Sequence, residues 1–523
     1  MDKVKSFGII IFLLIGIIST TAQHKNILIS KKGQPSEPSI CINPKNPAQL
    51  VAGCNIDKVF YSSDTGKTWN VDKLESIYGV WGDPSITVDT NGYFYFMHLS
   101  NDHHWIDKIV CQRSENGGKD WTQDTYMVFD EKKNQDKQWP VVDPKKNIIY
   151  VTWTQFDKYG STSTKDSSNI LFSKSYDEGL TWSSPLRINK VAGDCVDSDN
   201  TVEGAVPAVG PNGEVYVSWA GPFGLMFDKS VDEGETWLKE DRFVTAIPGG
   251  WDFDVPGINR CNGLPITLCD LSKGENTGNI YINWSDQRNG EDDTDIWLTK
   301  SSDGGESWSE PIRVNDDLSG RHQFFTWMSI DQTTGYLYFV FYDRRNYADT
   351  NTDVYMAMSK DGGETFINFK ISESAFSPNR SVFFGDYTNI TADNNIVRPI
   401  WTRLDNFNMS VWTAIIDIDS LMTTAVKKHD FSADLFSDLK NSPNPYTEET
   451  AVSFKLRKTS IVSLNIYDSN GNLVSNYMNK SKYEYGKHII VIDNKKLKLP
   501  SGIYFYSLKV DNVIAAKKMI VIK

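Results

Sequence analysis

The chain is short of positive charge, histidine and cysteine, and each shortage excludes a class of function. Lysine and arginine number 54 against 67 aspartate and glutamate, a formal charge of −13, and histidines number seven. That balance argues against nucleic acid or anionic membranes as general partners. The six cysteines (Cys41, Cys54, Cys111, Cys195, Cys261 and Cys269) include no CxxC pair and no Cys/His ligand spacing. No zinc site and no cofactor are therefore expected. Disulfides stay open, because Cys41 and Cys54 fall on neighbouring expected strands and connectivity cannot be read from spacing. Long hydrophobic runs are also lacking beyond the first 23 residues. The run Ile9 to Ile18 follows Lys3 and Lys5 and precedes the small residues Thr20-Thr21-Ala22. That is the pattern of a secretory signal over residues 1–23, and the run is too short for a comfortable membrane span. The mature protein is expected to be exported, with no membrane span.

Aromatic residues are plentiful: 16 Trp, 23 Tyr and 26 Phe. Most fit strands, and a few on loops could stack on sugar rings. Six of them end one repeated turn: Ser62-x-Asp64-x-Gly66-x-x-Trp69, Ser114-x-Asn116-x-Gly118-x-x-Trp121, Ser175-x-Asp177-x-Gly179-x-x-Trp182, Ser230-x-Asp232-x-Gly234-x-x-Trp237, Ser301-x-Asp303-x-Gly305-x-x-Trp308 and Ser359-x-Asp361-x-Gly363-x-x-Phe366. The copies start 52, 61, 55, 71 and 58 residues apart, so the repeating unit is a whole supersecondary element. An Asp or Asn side chain accepts from backbone amides two residues on, and Gly supplies the positive φ of a tight hairpin. The aromatic residue folds back and buries apolar surface. The pattern resembles the Asp-box of sialidase-like β-propellers, which is a structural device without chemistry of its own.

Each turn is expected to close the hairpin between the third and fourth strands of a blade. Upstream lie the expected innermost strands Pro38–Ile42, Pro84–Val88, Trp139–Val142, Ala205–Val209, Leu264–Leu268, Thr326–Ile330 and Tyr387–Thr391. The seventh unit continues through Val397–Trp401 and Val411–Ile416 but has no repeated turn. Its missing outer strand can come from Asn26–Ile29, which closes a circular array and removes its open edges. The expected fold is all-β: a seven-bladed propeller over residues 24–418, with six blades, the number in sialidases, as the alternative.

Beyond residue 418 the texture changes. Residues 419–440 are polar and without strand period, and read as a linker. The segments Asn441-Ser-Pro-Asn-Pro-Tyr446, Val462–Gly471, Leu499–Leu508 and Lys517–Lys523 alternate short strands with Asn-Gly and Pro-Ser-Gly turns, which predicts a small β-sandwich. These motifs resemble the C-terminal sorting domain of the type IX secretion system of Bacteroidetes, over residues 441–523. The resemblance implies the secretion machinery as partner and an extracellular or outer-membrane-surface location.

If the repeated hairpins share one face of the ring, the starts of the innermost strands and the turns between second and third strands share the opposite face. That face is where the sialidase-like family binds ligands. It collects Glu37, Asp83, Asp136, Glu203, Arg260, His322, Gln323, Asp386 and Tyr387. It also collects Asp102-His-His-Trp105, Asp286-Gln-Arg288, Asp343-Arg-Arg345 and Arg403-Leu-Asp405. Paired carboxylates suit glycoside hydrolysis and arginine forks suit acidic sugars. The catalytic candidates are Asp83, Glu203, Asp386 and Tyr387; a Tyr beside a carboxylate matches the nucleophile that sialidases use. The substrate-binding candidates are Arg260, Arg288, His322, Arg345 and Arg403, with no metal. Blander readings stand beside these. Asp–Arg pairs between blades explain the two Asp-x-Arg repeats, and Asp83 and Glu203 precede strands, where carboxylates cap turns. His103 and His104 read as exposed loop residues. Asp194-Cys-Val-Asp-Ser-Asp199 is acidic but lacks a calcium spacing. The first-blade Arg-Ile-Pro signature of sialidases is absent; the segment reads Pro35-Ser-Glu-Pro-Ser-Ile40.

Three functions compete. The first is a secreted glycoside hydrolase acting on an acidic glycan. The second is a non-catalytic glycan- or protein-binding propeller, which polar channel mouths and loop aromatics suit equally. The third is a polysaccharide lyase with Tyr387 or His322 as base. Two carboxyl groups standing roughly 5–10 Å apart across an open pocket would favour hydrolysis. Acids locked to arginines would favour scaffolding.

Overall fold

A computed structural model describes residues 24–122, 124–317, 320–418, 436–468, 473–511 and 513–522. The expected signal segment, most of the expected linker and the Asn470-Gly471 turn lie outside them. The chain divides into two compact units, Met1–Ile418 and Asp419–Lys523.

The described residues of unit 1 form seven four-stranded antiparallel sheets. Six follow chain order, beginning with Ser39–Ile42, Leu50–Cys54, Lys58–Ser62 and Asn70–Lys73. The seventh joins Lys25–Ser30 to Asn408–Ile415, Ile396–Asp405 and Asn389–Asp393. The N-terminal strand supplies the outer strand as expected, with Ile27 opposite Thr413. The inner strand of each sheet packs on the inner strand of the next, and Asn389–Asp393 of the seventh packs on Ser39–Ile42 of the first, so the inner strands make a ring.

The repeated turns act both within and between sheets. In all six the Ser Oγ accepts the Gly amide, at 2.8–2.9 Å, for example Gly234 N to Ser230 Oγ at 2.8 Å. The Asp or Asn oxygen accepts an amide four residues on, Thr236 N to Asp232 Oδ1 at 2.8 Å being typical. The expected reach of two residues is thus too short, because the loop curls back over the carboxylate. Each turn glycine also faces the preceding sheet: Gly118 lies against Val51, Gly179 against Cys111 and Gly363 against Leu298. The first turn closes the series, with Gly66 against Arg398 of the seventh sheet.

No disulfide forms among the described residues; all six thiols are free. Burial pushes the thiols of Cys41, Cys111 and Cys269 up to about 12. No helix of the described residues is long and apolar enough to cross a membrane.

Unit 2 pairs a three-stranded sheet (Phe436–Ser442, Glu449–Leu456, Gly486–Asp493) with a four-stranded one (Leu473–Tyr483, Ser460–Tyr467, Gly502–Val510, Val513–Val521). Alternate residues Val452, Phe454, Leu456, Val462, Leu464, Ile466 and Leu508 fill the core between them. The first strand begins at Phe436, inside the segment that reads as linker. Its apolar Phe436 is buried in that core, which a texture reading of mixed charge overlooks.

Candidate functional site

The site forms where the innermost strands begin, and there the backbone repeats one device. Glu37, Asp83, Lys137 and Phe325 take φ of +52, +49, +51 and +50°, while Gly204 and Gly385 take +76 and +96°. In the third, fourth and sixth sheets the pairing register shifts at this point, between Asp136 and Trp139, Glu203 and Val206, and Phe324 and Trp327. A left-handed residue beside such a bulge costs roughly 1–2 kcal/mol and re-aims its side chain. Glu37, Asp83 and Lys137, from three different sheets, thereby converge.

Asp386 is the hub. Its side chain is 1 % exposed and accepts from Lys137 Nζ at 2.7 Å. Arg260 adds Nε at 3.0 Å and a further bond from Nη2. Arg260 stands on the short hairpin Asp252–Phe253/Cys261–Asn262, and Asn262 Nδ2 from the same hairpin donates to the Asp386 carbonyl at 3.0 Å. Glu37 Oε1 accepts the Asp386 amide at 3.0 Å, and its other oxygen accepts from Asn55. Lys137 also reaches Asp83 Oδ2 at 3.4 Å. Arg260 Nη1 reaches Asp197 Oδ2 at 2.7 Å, and the Tyr159 hydroxyl donates to that same carboxylate.

The charges follow from this geometry. Burial pushes the Asp386 carboxyl up, but Lys137 and Arg260 outweigh it and hold it well below the usual range. Burial would lower Lys137, yet Asp386, Asp83 and Asp136 raise it. Asp136 touches Asp83; burial and the neighbouring Asp83 and Asp197 lift it to about 8 against the pull of Lys137. Glu203 is raised well above its ordinary value by burial and then by Asp197. Its Oε2 is buried without a hydrogen-bond partner.

Above this floor opens a cleft of about 690 Å³, lined by Glu37, Asp83, Asp136, Lys137, Tyr159 and Arg260 and by an apolar collar. The collar includes Trp81, Trp105, Phe383 and Phe407, which are 41, 43, 41 and 60 % exposed and so available to a ligand. Trp105 stands edge-on to Tyr159 with ring centroids 5.4 Å apart. Below the floor, Trp139 packs on Trp327 and Tyr387, at centroid distances of 4.3 and 5.2 Å, leaving a cavity of only about 30 Å³.

Of the expected catalytic residues, Asp83 and Asp386 join this cluster. Glu203 is sealed beside Asp197. Tyr387 does not line the cleft: it lies beneath, and burial, with Asp83 and Glu37 close by, raises its hydroxyl well above the usual value. A buried phenol held neutral is a poor nucleophile. Of the expected substrate-binding residues only Arg260 reaches the cleft. Arg288 is clamped to Asp286 (Nη2–Oδ2 2.6 Å) and stacked on Trp297. Arg345 is held by Asp343 and Asp316 at 2.7 and 2.6 Å, and Arg403 by Asp405, with Nη2 to Oδ1 at 3.0 Å. His322 Nδ1 meets Thr294 Oγ1 at 3.0 Å, and burial, with Arg344 nearby, lowers it to about 4. Each of these side chains is fixed by a near neighbour in the fold, so the Asp-x-Arg repeats are local clamps. His103 and His104 are exposed. Sequence reading missed Lys137, Tyr159 and Asp197. Lys137 was findable, because it stands just ahead of the expected innermost strand Trp139–Val142, as Glu37 and Asp83 stand just ahead of theirs. Asp197 falls in the acidic stretch 194–199, whose composition says nothing of its pairing with Arg260. Among the described residues, no group of three or more His, Cys, Asp or Glu side chains is arranged to hold a metal ion.

A Trypanosoma rangeli sialidase in complex with the inhibitor DANA is 11 % identical over 95 % of this chain and 89 % of that one, with a TM-score of 0.44. A polysaccharide lyase described as an ulvan lyase is 12 % identical over 75 % and 96 %, with a TM-score of 0.43. A Hadza microbial sialidase is 14 % identical over 70 % and 73 %, with a TM-score of 0.40. Likenesses at this level bear on neither activity nor substrate. No curated protein matches the chain. Residues 442–523 match the family model described as a secretion system C-terminal sorting domain, so the chain carries a sorting domain in its second unit.

Proposed function

We propose that residues 24–418 form a seven-bladed β-propeller, carried across the outer membrane by type IX secretion, that binds glycans in the cleft at its channel mouth. The observation that carries this reading is the collar of exposed Trp81, Trp105, Phe383 and Phe407 above a fixed polar floor. Aromatic faces stack on the apolar sides of sugar rings, and the polar groups below fix orientation. The ring of packed inner strands supports the blade count, and the sorting domain supports the route. Acidic sugars fit less well than expected. Arg288, Arg345 and Arg403 are held by aspartates away from the cleft, and Arg260 already bridges two carboxylates.

Glycoside hydrolysis is the second reading, and Asp136 favours it. At neutral pH this cleft-lining carboxyl, raised to about 8, keeps its proton and can donate it to a leaving oxygen. Lyase chemistry lacks such support, since neither Tyr387 nor His322 lines the cleft. The test combines a glycan array with assay of released reducing ends, using the mature chain. Binding that falls about tenfold in a Trp81→Ala, Phe407→Ala double variant supports the cleft. Turnover that falls on the order of 100-fold in Asp136→Asn, with binding retained, supports hydrolysis. Binding unaffected by the collar variant would refute the site.

A further inference from the structure

Resting on the reading of the mouth as a glycan cleft, we infer that the cleft prefers sugars bearing a free amine, taken up as the ammonium ion, over their N-acetylated or anionic counterparts. The argument begins with the two cations of the floor. Lys137 stands between Asp386 at 2.7 Å and Asp83 at 3.4 Å. Arg260 stands between Asp386, with Nε at 3.0 Å, and Asp197 at 2.7 Å. Both are already paired with carboxylates of the fold. Around these two cations gather six carboxyl groups: Glu37, Asp83, Asp136, Asp197, Glu203 and Asp386.

The excess of carboxyls leaves them short of donors, and two observations mark the shortage, one sealed within the fold and one at the cleft. Glu203 Oε2, on a side chain 1 % exposed, has no hydrogen-bond partner. Asp136 stands against Asp83, and burial together with that neighbour favours the protonated form of Asp136. Both line the open cleft, where a ligand can replace that proton with a charged donor. The walls suit the same ligand, because exposed indole faces such as those of Trp81 and Trp105 attract ammonium groups. An anion entering here meets like charge and no uncommitted cation. An ammonium group meets carboxylate below and aromatic surface at the side.

The experiment titrates the mature full-length chain by calorimetry with β-1,4-linked oligomers of equal length made of glucosamine, N-acetylglucosamine or glucuronic acid. Mildly acidic pH keeps the amine charged, and low ionic strength limits screening. Glucosamine oligomers are expected to bind roughly tenfold tighter than N-acetylated ones, as one charged hydrogen bond gives. Added salt should erode that preference, and the Asp83→Asn, Asp136→Asn double variant should abolish it. Equal or tighter binding of the N-acetylated or uronic oligomer overturns the amine preference and leaves the glycan reading standing. Binding of none of the three, with none across a broad glycan array, overturns both. The wild-type comparison decides the matter even if the double variant fails to fold.

Discussion

Asp386 is nearly sealed from solvent, yet it stays ionised because Lys137 and Arg260 flank it. Truncating such a carboxylate strands two cations, one of them, Lys137, with a side chain only 7 % exposed. Asp386→Ala should therefore cost about 3–5 kcal/mol in chemical denaturation, the usual penalty for breaking a buried ion pair from one side. Asp136 acts in the opposite sense. Its folded pKa, about 8, stands above the ordinary carboxylate value, so the folded chain holds a proton that the unfolded chain releases. The stability linked to that proton is intact below about pH 4 and is lost progressively as pH rises to about 8. Asp136→Asn removes the titration, and its melting temperature should gain a few degrees over wild type near pH 8 and little near pH 4, on the order expected for 1–2 kcal/mol. Differential scanning calorimetry across that range checks the sign. The expected ligand arginines give a contrasting case. Arg345→Ala should leave glycan affinity unchanged, since Asp343 and Asp316 hold that side chain away from the cleft.

At the scale of the element, the repeated turn is a cap whose serine and aspartate satisfy the loop amides while its glycine lets the preceding sheet approach. Gly118 shows both demands at once: φ is +88°, and an added Cβ would stand 2.6 Å from Val51 Cγ2 of the preceding sheet. Gly118→Ala should destabilise unit 1 by about 2 kcal/mol or more, read by denaturant midpoint, from strained φ and overpacking together. The turn carboxylates also set an acid limit. Burial opposes it, but bonds from Thr68 lower Asp64 to about 2; bonds from Thr236 do the same for Asp232. These depressed values contribute stability above about pH 4 that is lost as pH falls toward 2. The left-handed starts of the inner strands are the second recurring element. They were invisible to strand periodicity, because alternation does not report φ and Glu37 and Lys137 are residue types that ordinarily avoid positive φ. Periodicity nevertheless located the inner strands within a few residues.

On the scale of the whole molecule, the ring closes through its first and last pieces. Lys25–Ser30 covers the edge of Asn408–Ile415, and Arg398 of the same sheet donates to the Thr65 carbonyl at 2.7 Å in the first repeated turn. Deleting Lys25–Ser30 exposes a paired edge. The truncated chain should melt at lower temperature and self-associate, as light scattering would show. Much of this closure was legible, because an orphan strand pattern at the start matched a missing outer strand at the end. The site was legible only in part. Asp83, Arg260 and Asp386 were gathered from strand starts, whereas the arginine repeats were drawn in by residue type and belong to local clamps.

Sequence alone determined the repeating unit, the place of each inner strand, the closing role of the N-terminal strand and the sorting motifs near the C-terminus. All of these depend on local turn chemistry and on periodicity, which are written in neighbouring residues. The tertiary structure decided which charges meet: Asp386 with Lys137 and Arg260, and Asp136 with Asp83. Partners more than fifty residues apart in the chain have no local signal, and their ionisation depends on burial and distance.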